Sequence, residues 1–206
     1  MSQRVTPLRG SRSVSIGIFV GGKGTRMGGV AKGLLRAPGG NETLIERLLR
    51  QCARAAPEAT FFLVGEATAY AALSLTPLAD TPAGVGPIGG LRALLLRAQA
   101  DESELALALA CDLPFLDEGV ISSLLLPFSD VTCAARVPFV EGRLQPLAAA
   151  YAPAATLSAI DRSLTQGKHA LMSVLDQLGT ALERVEFDDQ RARALRDWDT
   201  PEDIHR

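Results

Sequence analysis

The chain has 206 residues, 47% of them hydrophobic, and a formal net charge of −2, which suits one ordinary α/β domain with a substantial core and is short for two. Its scattered basic residues exclude an electrostatic nucleic-acid surface, no apolar run approaches the roughly 18 residues of a membrane span, and the N-terminus lacks a signal-peptide core. Three cysteines, an odd number without metal-ligand spacing, fit a reducing compartment, and a cytoplasmic protein is expected.

Residues 1–13 are polar, carry Arg4, Arg9 and Arg12 without an apolar period, and read as a loose, disordered tail. Residues 14–206 are expected to form a single domain. Val14, Ile16, Ile18, Phe19 and Val20 make a short apolar run of the kind that forms a strand buried on both faces. It runs into Gly21, Gly22, Gly24, Gly28 and Gly29, whose bare N–H groups can cradle an anion, while Lys23, Arg26 and Lys32 bring positive charge to the same place. The stretch looks built for a polyphosphate. It is not a Walker loop, because the Gly-Lys pairs run on into Gly24 and His169 rather than Ser or Thr. Nor is it a dinucleotide fingerprint, since Met27 stands where the third glycine belongs and Glu66 comes about twice too late for the ribose acid expected about 20 positions on.

Pro38-Gly39-Gly40 predicts a turn, and Thr43 caps a helix whose Leu44, Ile45, Leu48, Leu49 and Cys52 share one face. Phe61–Val64 reads as the second strand, Thr68–Leu73 as a short helix, and Leu75–Leu78 as a segment leading to Asp80. Residues 80–91, rich in Gly and Pro, form a loop able to close over a ligand, and Ile88–Gln99 a helix. Asp80 by itself reads as a turn residue or cap. Leu105–Cys111 predicts a third long buried strand that delivers Asp112 to its C-terminal edge, where open parallel sheets bind ligands. Asp112 could cap the following turn; opposite a phosphate cradle it suits Mg²⁺, which takes one or two carboxylates plus phosphates and water.

Asp117 caps a helix to Leu125, Val131–Arg136 reads as a strand, and Glu141-Gly142-Arg143 as a turn before a strand ending at Tyr151. Helices follow over Pro153–Thr165 and from Gly167 to about Leu178, then a short strand at Val185 and Phe187 and a helical turn at Arg191–Leu195. Thr200 caps a final helix from Pro201.

The segment Phe19-Val-Gly-Gly-Lys-Gly-Thr-Arg-Met-Gly-Gly-Val-Ala-Lys-Gly-Leu-Leu35 resembles the signature loop of the molybdenum cofactor guanylyltransferases, Leu-Ala-Gly-Gly-x-x-x-Arg-Met-Gly-Gly-x-x-Lys. Cys111-Asp112-Leu-Pro114 is similar to that family's metal motif, Gly86-Pro-Ile-Gly-Gly90 to its nucleotide loop, Gln145-Pro-Leu-Ala-Ala-Ala-Tyr151 to its acceptor-side strand, and Asp199-Thr-Pro-Glu-Asp203 to its chain end. The resemblance implies a Rossmann-like three-layer α/β/α sandwich with a mostly parallel sheet. It also implies a Mg²⁺-dependent reaction joining GMP from GTP to molybdopterin with release of pyrophosphate, and transient contact with molybdoenzyme maturation proteins. Arg26, Lys32 and Asp112 would be catalytic, with Asp112 on the metal. Phe19, Val20, Gly21, Gly22, Gly24, Lys32, Asp80, Gly86, Pro87 and Asp112 would bind nucleotide. Arg143, Gln145 and Asp199 would face the acceptor, although Gln145 also reads as an exposed strand residue and Asp199 as a helix cap. An Asn that follows the second strand in the family is Gly65 here. A cytidylyltransferase or sugar-phosphate nucleotidyltransferase, or a non-catalytic nucleotide- and cofactor-binding partner in molybdoenzyme maturation, is the alternative.

Overall fold

A computed structural model describes residues 12–21 and 31–198. Its centre is a sheet of eight strands among these residues: β1 (Val14–Phe19), β2 (Thr60–Val64), β3 (Thr76–Leu78), β4 (Leu105–Ala110), β5 (Ala135–Val140), β6 (Arg143–Leu144), β7 (Ala148–Tyr151) and β8 (Leu182–Glu186). Their order is β3-β2-β1-β4-β7-β5-β6, with β8 beside β5. The first four are mutually parallel, β7 is antiparallel to both β4 and β5, and β8 runs parallel to β5. This is the α/β fold with a mainly parallel sheet expected from the sequence.

Helices cover both faces because the central strands are apolar on both. In β4 the alternation of Leu and Ala sorts the two layers. Leu105, Leu107 and Leu109 pack with Ile45 and Leu48 of α1 (Leu44–Ala55) and Val120 and Leu124 of α3 (Glu118–Leu124), whereas Ala106 and Ala108 face the cluster formed by α2 (Pro87–Ala100), α4 (Pro153–Thr165) and α5 (Leu171–Leu178). Small residues on that side let α2 lie close. A Cβ at Gly17 of β1 would sit 2.7 Å from Leu94 Cδ2 and 2.9 Å from Val64 Cγ2. The last described helix is α6 (Asp189–Ala194), capped by Asp188.

Local signals fix most helix starts. Thr43 accepts from the Glu46 amide while Glu46 accepts from Thr43 N–H, a reciprocal capping box. Asp117 accepts from Val120 N–H at 2.9 Å to open α3. Pro87 opens α2, where its missing N–H costs no intrahelical bond. The strand expected over Val131–Arg136 starts later, at Ala135. The Asp130 carboxylate accepts from Thr132 N–H and Oγ1 at 2.7 Å each, and this turn takes up Val131–Cys133, leaving Val131 in solvent. The strand then continues through Pro138, whose absent N–H falls beyond the two residues that β7 pairs. Ser13, assigned to the tail, accepts from the Glu104 amide at 2.9 Å.

Candidate active site

The parallel strands all end on one edge, and the chain reverses its direction of travel across the sheet there: β1 has β2 on one side and β4 on the other. Such a switch point leaves a crevice outside the strand ends. A cleft of about 700 Å³ lies there, lined by the residues that follow each strand: Val20 and Gly21 after β1, Gly65 and Glu66 after β2, Asp80 after β3, and Cys111 and Asp112 after β4.

Lys32 and Asp112 meet in this cleft although 80 positions separate them; Lys32 Nζ donates to Asp112 Oδ2 at 2.8 Å. Lys32 opens a 3-10 turn over Lys32–Leu34. Asp112 is placed by the end of β4, where Cys111 N–H donates to Phe19 O at 3.1 Å and Asp112 O accepts from Trp198 N–H at 3.0 Å. The two side chains keep 20% and 16% of their surface exposed, so the pair sits at the cleft wall within reach of a ligand. Asp112 offers a magnesium ion a hard oxygen ligand, and no group of three or more His, Cys, Asp or Glu side chains among the described residues forms a ready-made metal cage. That donor set fits a cation that takes its remaining ligands from phosphates and water.

Gly86 and Pro87 bring the N-terminus of α2 to the same cleft. Asp80 packs on that first turn, its Oδ1 3.2 Å from where a Cβ on Gly90 would stand, and partial burial raises its carboxyl above the usual range. Phe19, Val20, Gly21 and Gln145 also line the cleft. Arg143 lies on β6, exposed and outside the cleft lining. Gly22, Gly24, Arg26 and Asp199 fall outside the described residues.

The sequence from 16 to 184 matches the family model described as MobA-like NTP transferase domain. The chain belongs to that family. It is therefore a nucleotidyltransferase. Solved structures carry the same architecture. Molybdopterin-guanine dinucleotide biosynthesis protein A from Archaeoglobus fulgidus is similar at 24% identity, covering 93% of this chain and 95% of that one, with a TM-score of 0.72. An Aquifex aeolicus protein is similar at 18% identity, 89% and 92% coverage and TM-score 0.68. The 2-C-methyl-D-erythritol 4-phosphate cytidylyltransferase of Thermus thermophilus is similar at 18% identity, 92% and 94% coverage and TM-score 0.61. No curated protein matches the sequence significantly.

Within this MobA-like cleft the structure adds groups that sequence reasoning passed over. Gly65, where the resembled family carries Asn, has φ of 98°, and a Cβ on it would sit 3.1 Å from Gly21 Cα. Two backbones approach closely there, and a side chain would be both crowded and strained by the positive φ. The neighbouring Glu66 lines the cleft, its carboxylate held by the Thr68 hydroxyl and by Thr68 N–H at 3.1 Å, bonds that lower its pKa. Its position directly after a parallel strand was the available signal. Asp197, two residues before the expected Asp199, also lines the cleft. No helix among the described residues is long and apolar enough to cross a membrane.

Proposed function

We propose that this MobA-like nucleotidyltransferase joins GMP from GTP to the phosphate of molybdopterin, forming molybdopterin guanine dinucleotide and releasing pyrophosphate. The observation that carries the reading is the meeting of Lys32 with Asp112 at the switch point, beside the start of the glycine-rich stretch. A cation and a lone metal-seeking carboxylate at one spot suit a triphosphate. Neighbouring strands are roughly 5 Å apart, so the ends of β2 and β3 stand roughly 10 and 14 Å across the sheet from the end of β4. A nucleotide lying along these ends would bring its base to Glu66 and Asp80. Ionised carboxylates only accept hydrogen bonds. Guanine, with adjacent N1–H and N2–H₂ donors, answers two acceptors better than cytosine, which has one donor group on that edge.

In this reading residues 14–206 act as one domain in a reducing, cytoplasmic setting. The amides of Gly21, Gly22 and Gly24 hold the polyphosphate, Phe19, Val20, Gly86 and Pro87 shape the nucleotide wall, and Asp80 contacts the nucleoside. Arg26 and Lys32 stabilise charge that builds on the phosphates as the acceptor phosphate attacks the α-phosphorus and pyrophosphate leaves. Asp112 would hold Mg²⁺, which neutralises phosphate oxygens when bound. Gln145, Arg143 and Asp199 serve the acceptor side, and hand-over of the product would bring transient contact with molybdoenzyme maturation proteins.

The test is pyrophosphate release from GTP, CTP, ATP and UTP, with and without molybdopterin and Mg²⁺. Release with GTP alone, dependent on both additions, is expected, and Lys32→Ala or Arg26→Ala should lower turnover about 10²–10³-fold in folded protein. Preference for CTP would make the enzyme a cytidylyltransferase, UTP or ATP turnover with a sugar phosphate would point to that acceptor class, and tight nucleotide binding without release would make it a carrier.

A further inference from the structure

Beneath the Lys32–Asp112 pair lies Tyr70, a side chain that the chemistry above does not use. It sits on a short 3-10 helix over Thr68–Leu73 between β2 and β3, and is 2% exposed. Its hydroxyl accepts from Gly33 N–H at 3.1 Å, one residue beyond Lys32. Cys111, one residue before Asp112, borders the same glycine. A Cβ at Gly33 would stand 3.0 Å from both Tyr70 Cε1 and the hydroxyl oxygen, and 3.3 Å from Cys111 Cβ. The residue that follows the cation is thus flanked by the Tyr70 phenol and by the residue that precedes the carboxylate.

We propose that Tyr70 is a positioning residue: its hydroxyl holds the Lys32–Leu34 turn against Cys111 at the end of β4 and so sets where the Lys32 ammonium stands relative to Asp112. Three features argue for this role over plain core filling. The ring is buried with its polar head aimed at a backbone amide that belongs to a turn rather than a ladder. The backbone of the turn carries its own 3-10 bonds besides, from Leu34 N–H to Ala31 O at 2.9 Å and Leu35 N–H to Lys32 O at 3.0 Å. The absent side chain at position 33 is what lets the phenol come this close. Displacement of a charge-stabilising group by about 1 Å can cost about 10²-fold in rate.

The proposal rests on the transferase reading, so its test has an arm that needs no turnover. Tyr70→Phe keeps the ring and removes the oxygen. The chain has three lysines, and Lys168 is exposed. Brief acetylation with acetic anhydride, read by peptide mass spectrometry, gives the reactivity of Lys32 relative to Lys168. This ratio should rise at least threefold in Tyr70→Phe, and exchange of the Gly33 amide should quicken at least tenfold while the amides of β1 and β4 keep their rates. In turnover, kcat per folded molecule, with the folded fraction of each variant counted from its urea melt, should fall at least tenfold with KM for GTP within threefold. Gly33→Ala, which pushes on the ring from the other side, should reproduce the kcat loss. An unchanged Lys32 ratio, unchanged Gly33 exchange, or kcat within twofold of wild type overturns the proposal. A wild-type protein that releases no pyrophosphate from any triphosphate refutes the transferase reading alone, and the labelling and exchange results then decide Tyr70.

Discussion

Arg136→Met removes the best-connected buried cation among the described residues. The Arg136 side chain is 5% exposed and grips both Glu183 oxygens, at 3.0 and 2.9 Å. It also donates to Leu124 O at 3.4 Å, to Leu126 O, and to Pro127 O at 2.6 Å, and its guanidinium lies 5.4 Å from the Phe128 ring centroid. One side chain therefore ties β5 to β8 and to the turn after α3. Breaking a buried pair by removing one partner costs about 3–5 kcal/mol, because the other charge is left uncompensated. Glu183 keeps 21% of its surface in water and still accepts from Ser129 N–H, and the freed carbonyls of the turn can take water. The lower end, about 3 kcal/mol, is expected. With a urea slope of about 2 kcal/mol/M the unfolding midpoint should fall by about 1.5 M. Removing the stranded charge as well, in Arg136→Met/Glu183→Leu, should recover at least half of the loss. The pair lies outside the cleft lining, so turnover per folded molecule should hold. A cost below about 1 kcal/mol for the single variant, or strictly additive costs in the double, would refute this account of the pair.

Other consequences follow from packing and burial. Gly17→Ala drives a methyl into Leu94 and Val64, and thermal or urea melts should show a loss of about 1–3 kcal/mol; an unchanged melt means that α2 is not held as close as the structure has it. Burial raises the pKa of Asp80, so the folded state binds its proton more tightly and this contribution, complete below the unfolded value, disappears as pH rises through the folded one. Asp80→Asn should accordingly be more stable than wild type at pH 7 and hold no such advantage at pH 3, as thermal melts at both would show. Burial pushes the Cys52 and Cys111 thiols up to about 12, whereas Cys133 is partly exposed. Ellman's reagent at pH 8 should therefore titrate one thiol in native protein and three in denaturant, and fast labelling of a second native thiol would contradict the burial.

The strands that make the site were legible because their residues leave little choice. A continuous apolar run such as Val14–Phe19 or Leu105–Ala110 can only be buried on both faces, and glycines or an Asp-x-Pro directly after such runs mark the C-terminal edge. Helix starts were legible where a short polar side chain can satisfy free amides, as at Thr43 and Asp117. The strand at Ala135 was misplaced by the same local chemistry: Asp130 could close a turn, and residue preferences at Val131–Cys133 could not reveal that it does.

By itself the sequence determined the fold class, the long buried strands and the family, since periodicity and motif letters are local properties. Only the tertiary structure decided that Lys32 meets Asp112, that Glu66 lines the cleft beside a Gly65 pressed against Gly21, and that Tyr70 and Cys111 flank the glycine that follows Lys32. These are contacts between segments tens of residues apart, created when β1 is inserted between β2 and β4, and no short-range pattern encodes which strand ends will lie side by side.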